Sequence, residues 1–153
     1  ADRKTAAPTT DGVIATVRRL FKELSARPAI PKQWDGKIRY CTGVNHSHHR
    51  ILVHGFSFDE PDDRPPADGR PHAVFYYDPD GQVRLVVQHI SGQAPYVSDY
   101  VAYHQNQPVA RINYSRGRVA YGDFVHYEKG NPFLSCRILG DGRAVLVKKL
   151  SEE

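Results

Sequence analysis

Two histidines and one arginine carry the strongest chemical suggestion in this sequence. His72 follows Pro71 and opens a strand-like run. His126 ends another, after Gly122-Asp123-Phe124-Val125, and Arg111 lies in a third, after Pro108-Val109-Ala110. A pair of histidines can serve as base and acid near neutral pH, and an arginine can neutralise a phosphate. Together they are the equipment for transphosphorylation, in which a ribose 2′-oxygen attacks the adjacent phosphorus. Three such residues also occur by chance in ordinary sheets, so the elements that position them matter.

Eight histidines in 153 residues also invite a metal reading. His46, His48, His49 and His54 are clustered. On a helix only His46 and His49 share a face, and Arg50 takes the neighbouring position four on from His46, where its charge repels a metal. No CxxC, HExxH or paired carboxylate completes a site. Surface histidines are the expectation, with no metal and no cofactor.

The elements follow from periodicity and turn chemistry. Residues 1–9 are polar and read as a frayed tail. Val13, Ile14, Val17, Leu20, Phe21 and Leu24 then recur at helical spacing, with Thr10 or Asp11 as cap and Pro28 and Pro31 as the stop. From Lys37 onward the signals are strands and turns. Ala73–Tyr77 and Val83–Ile90 flank Asp78-Pro79-Asp80-Gly81 as one hairpin. Ala110–Tyr114 with Arg118–His126, and Ser135–Leu139 with Ala144–Leu150, make two more. Gly92–Pro108 reads as a long connection, Asp59–Gly69 as an acidic, Pro-rich loop, and residues 45–56 as a short helix from Asn45 to Gly55. The expected class is α+β: a central antiparallel β-sheet with one short helix packed on it, plus an N-terminal amphipathic helix. Residues 1–36 form the tail and that helix, and residues 37–153 the main domain.

Composition sets the bounds. The chain is 17.3 kDa, 40% hydrophobic and 25% charged, which suits one globular domain. No apolar run approaches the roughly 20 residues that a membrane-spanning helix needs. The net charge of +4 permits a polyanionic partner. Residues 1–36 hold 7 basic and 4 acidic side chains, so most of the basic excess lies there. A chain that begins at Ala1 and has no Met is read as processed or trimmed.

The run from Ala110 to His126, followed by Phe133-Leu134-Ser135-Cys136, resembles the closing hairpin of the small secreted fungal ribonucleases, the guanyl-preferring family that includes the ribotoxins. There an Arg begins one strand, a His ends the next, and a Cys follows about ten residues later. Tyr40-Cys41 is similar to the family's N-terminal strand with its half-cystine, residues 45–56 to its single helix, and Pro71-His72 to its entry into the central sheet. The resemblance covers roughly Lys37–Arg137.

The resemblance implies a role for each matching residue. His72 is the histidine that helps the base, Arg111 the phosphate-neutralising arginine, and His126 the general acid. Tyr77 and Asp78 are the pair that stacks on guanine and accepts its N–H groups. Asn131 and Phe133 are the rear of the base pocket and the floor of the site. Cys41 and Cys136 are a disulfide, which points to secretion. The family's general base is a Glu, and the best-aligned position here is Gln88 or His89. Gln88 cannot take a proton, whereas His89 can, and strand alternation lets only one of the two face a cleft. The implied function is a secreted, monomeric, metal-independent endoribonuclease that cleaves single-stranded RNA 3′ of guanosine through a 2′,3′-cyclic phosphate, with RNA, or a host protein or inhibitor, as partner. The second reading, warranted by the missing Glu and the added helix, is a weak or inactive ribonuclease-like effector or toxin module that binds RNA or a host protein.

Overall fold

In the computed structural model the described residues are 8–26, 28–42, 62–90, 92–115 and 118–150. They form one helix, α1 (Thr10–Glu23), and eight strands: β1 (Ile38–Cys41), β2 (His72–Tyr77), β3 (Val83–His89), β4 (Tyr96–His104), β5 (Gln107–Ser115), β6 (Arg118–Glu128), β7 (Asn131–Leu139) and β8 (Ala144–Lys149). The strands make a single antiparallel sheet in strict chain order, each paired with its sequence neighbours. The α+β expectation is therefore corrected to a β-rich fold. Among the described residues the only helix on the sheet is the N-terminal one, and the helix expected at residues 45–56 lies outside them. Among the described residues no helix is long and apolar enough to cross a membrane.

The helix starts where Thr9 accepts a hydrogen bond from the Gly12 amide, with Asp11 in the first turn and Lys22 in the last, each complementing the helix dipole. Val13, Val17 and Phe21, four residues apart, face the sheet and are buried. They pack with Val74, Val87, Ile112, Phe124, Leu134, Cys136 and Ile138. Phe21 meets Phe124 edge-on at 6.1 Å. Gly122 makes this seat: a Cβ there would come within 2.9 Å of the Phe21 and Ile112 side chains. Arg18 also donates to the Gly142 carbonyl at 2.9 Å, and the Tyr114 hydroxyl to the Leu24 carbonyl at 2.9 Å. The helix α1 thus shares one core with the sheet.

The opposite face carries a smaller apolar cluster, Cys41, Ala73, Phe75, Val83, Val86, Val101 and Val125. Strand alternation sorts neighbours to opposite faces. It puts Cys41 on this face and Cys136 on the helix face, in different clusters. No disulfide joins them. The expected bridge is corrected on that ground: two thiols separated by the thickness of a sheet cannot reach bonding distance.

The segment 92–108 is not a connection. It holds β4 and a tight turn at Gln105-Asn106, both at positive φ (53° and 65°), the conformation that matches the twist of a two-residue hairpin. Alternation in β4 is broken at Ser98 by a bulge against Val86 and Val87.

Candidate functional site

The residues expected to form one catalytic centre are distributed over the sheet. His72, the first residue of β2, sits directly across from His89, the last of β3, on the helix face. Their rings stack at 4.8 Å, 4° from parallel. Arg111 lies mid-strand in β5 on the opposite face, only 1% exposed, with its guanidinium 3.1 Å from the Asp99 carboxylate and donating to the Tyr121 hydroxyl at 2.6 Å. His126 returns to the helix face, paired with Leu134 at the far end of the sheet, bound to the Glu128 carboxylate and edge-on to Phe133. Four strand steps separate β2 from β6, on the order of 19 Å at the usual spacing. Base, acid and phosphate ligand are not brought together.

The base-recognition set divides as well. Tyr77 ends β2 on the face away from the helix, half-buried, and burial raises its phenol pKa. Asp78 is spent on its turn: Oδ1 accepts from the Asp80 and Gln82 amides, and Oδ2 from Arg84 at 2.8 Å. Burial alone would raise the Asp78 pKa, but these donors outweigh it and the net shift is downward. Asn131 is exposed at the start of β7, and Phe133 packs beside His126 and Lys149. Both lie near His126, several strands from Tyr77 and Asp78.

The structure gathers another set, which shares Gln88 and Arg111 with the expected one. Among the described residues the buried polar side chains are Gln88 (9% exposed), Ser98 (6%), Asp99 (4%) and Arg111 (1%), from three adjacent strands. They form one network. The Gln88 amide donates to the Ser98 hydroxyl at 3.0 Å, the hydroxyl donates to Asp99 Oδ1 at 2.7 Å, and Asp99 Oδ2 faces Arg111. Asn113 reaches Asp99 Oδ2 at 3.4 Å. Arg137, bonded to Asp123, stacks on the Tyr121 ring at 4.0 Å and extends the network toward β7. Leaving a polar group buried and unpaired is costly, so each member depends on the others.

Gln88, Ser98 and Asp99 of this network line an open cleft of about 640 Å³ at the His72 end of the sheet, with Arg111 behind Asp99. Its walls include Gln88, Ser98, Asp99, Asn113, Tyr96 and Tyr121, with His72 and His89 at the rim. Both Gln88 and His89 border it, although they point to opposite faces, because it opens where the strands end. Burial, and then the neighbouring His72, lower the His89 pKa.

No family model, curated protein or solved structure matches this chain. The cleft must be read from its own chemistry. Among the described lining residues there is no Lys or Arg. The wall offers amides, hydroxyls and phenol rings, which suit neutral polar groups. Sequence reasoning missed Ser98, Asp99, Asn113 and Tyr121. The available signal was Ser98-Asp99, a polar pair inside the aromatic run Tyr96 to Tyr103, whose register partners include Arg111 and Asn113.

Proposed function

We propose that this chain is a binding module whose ligand is a small neutral molecule bearing hydroxyl and amide groups, held in the cleft at the His72 end of the sheet. This keeps the non-catalytic reading but replaces its expected partner, RNA or a host protein, with a small molecule. One observation carries it: the buried polar residues Gln88, Ser98, Asp99 and Arg111 converge on one network beside one cleft, whereas His126, the residue expected as general acid, lies four strands from His72. The volume falls in the range usual for small-molecule sites. Gln88, Ser98 and Asn113 supply directional hydrogen bonds, Tyr96 and Tyr121 supply apolar rims, and the Asp99–Arg111 pair fixes the floor without leaving net charge.

The test is a thermal-shift and NMR screen against neutral saccharides and small amides. A ligand should raise Tm and shift amide resonances around Ser98 and Asn113, and both effects should vanish in a folded Asn113→Leu variant. Shifts that map elsewhere would remove the cleft from consideration. A parallel assay uses a labelled oligoribonucleotide with a single G, in EDTA. No cleavage is expected, and cuts after G that disappear in His126→Ala would overturn the non-catalytic reading.

A further inference from the structure

At the rim of the cleft two imidazoles stack face to face. His72 and His89 are register partners across β2 and β3. The ring centroids are 4.8 Å apart. Among the described residues neither ring takes part in an ion pair, in contrast to His126 with Glu128. His72 Nδ1 lies 2.9 Å from the Arg70 carbonyl. A carbonyl only accepts, so Nδ1 carries the proton and donates, and in the neutral ring the lone pair is left at Nε2. A backbone carbonyl that holds one ring nitrogen is the usual outer support of a metal-binding histidine. The Arg70 guanidinium is engaged with both oxygens of Asp68, at 2.7–3.0 Å.

We propose that His72 and His89 form a two-nitrogen chelate for one divalent transition ion, copper or zinc, at the mouth of the cleft. Imidazole suits both ions, and copper should bind the tighter. Each ring must rotate from the stack so that one nitrogen of each lies at about 2.0–2.1 Å from the ion, the usual metal–imidazole distance. Two metal–nitrogen bonds form, two waters leave the hydrated ion, and no redox step is involved. Among the described residues no third His, Cys, Asp or Glu completes the set. The remaining positions therefore stay with water or with a ligand oxygen in the cleft. This site goes beyond the proposed organic ligand and does not require it.

Substoichiometric Cu2+ added to the full chain provides a test without mutation, because the ion broadens NMR signals of the rings it touches. The His72 and His89 ring signals should broaden first. Broadening confined to other histidines would overturn the proposal, as would no binding at all. Calorimetry adds a second test with Cu2+ and Zn2+. A variant with His46, His48, His49 and His54 all changed to Gln removes the sequence cluster and should retain one site per chain. In that background His72→Gln or His89→Gln should each weaken binding at least tenfold, and the pair together little more than either alone. Binding lost with the cluster and unchanged by His72→Gln and His89→Gln would place the metal elsewhere. Loss of the neutral-ligand response in Asn113→Leu leaves copper binding intact, so the two readings fail separately.

Discussion

The two faces of this sheet solve burial in opposite ways. The helix face is apolar throughout its centre: α1 brings Val13, Val17 and Phe21 onto Ile112, Phe124 and Ile138. The other face buries Arg111, Asp99, Ser98 and Gln88 beside Val86 and Val101. The first arrangement gains stability from area removed from water and tolerates no empty volume. The second gains little net energy from its ion pair but is intolerant of losing one partner. A fold that needed only stability would use the first device on both faces. The polar floor is the part of the molecule that stability alone does not explain.

The sharpest way to break this contrast is on the helix face. Phe124→Ala should cost about 3–5 kcal/mol, read as a shift in the chemical denaturation midpoint, because it removes the ring that Phe21 packs against. A cost under about 1 kcal/mol would mean that α1 is not seated there. On the polar face, Asp99→Leu should cost about 2–4 kcal/mol by removing the carboxylate that answers the buried Arg111 charge, with the Tyr121 hydroxyl still accepting from the guanidinium. The double change Asp99→Leu, Arg111→Met should recover much of the loss. If instead the two costs add, the pair is not a unit. Gly122→Ala should cost about 1–3 kcal/mol, since the new Cβ forces Phe21, Ile112 and Phe124 to shift.

A smaller effect is expected at the β2–β3 turn. The Asp78 pKa is held below its ordinary 3.8 by the Gln82 and Asp80 amides and Arg84, which overcome burial. Its contribution is therefore present above the unfolded value and lost as pH falls through the lower folded value. Stability measured from pH 5 down to pH 2.5 should fall less steeply in Asp78→Asn than in the wild type. The smallest expected effect is none: because Cys41 and Cys136 occupy opposite faces, reductant should leave Tm unchanged. Burial pushes the Cys136 thiol up to about 11, so its alkylation should be slow until the protein unfolds.

Much of the fold could be read from local signals. The helical spacing of Val13, Val17 and Phe21 matches α1 within a few residues, and all three hairpins with explicit Gly turns are present. β4 could not be read because its bulge at Ser98 breaks the alternation and its turn is Gln-Asn rather than Asn-Gly. That omission concealed the site as well, since β4 supplies Ser98 and Asp99. The expected catalytic set rested on residue order along the chain. Order does not fix face, and one position of parity puts Arg111 on the face of Asp99 rather than on the face of His126.

The sheet's strict chain order also has a bearing on how the protein is made. Every strand pairs with a neighbour in sequence, so pairing can follow synthesis hairpin by hairpin. The helix is the exception. It leaves the ribosome roughly a hundred residues before β6 and β7, onto which it packs. At 5–20 residues per second its apolar stripe waits about 5–20 s for its seat. During that interval Val13, Val17 and Phe21 have only a partial sheet to rest on. The nascent chain is then at its most adhesive, and the final strands release it from that state.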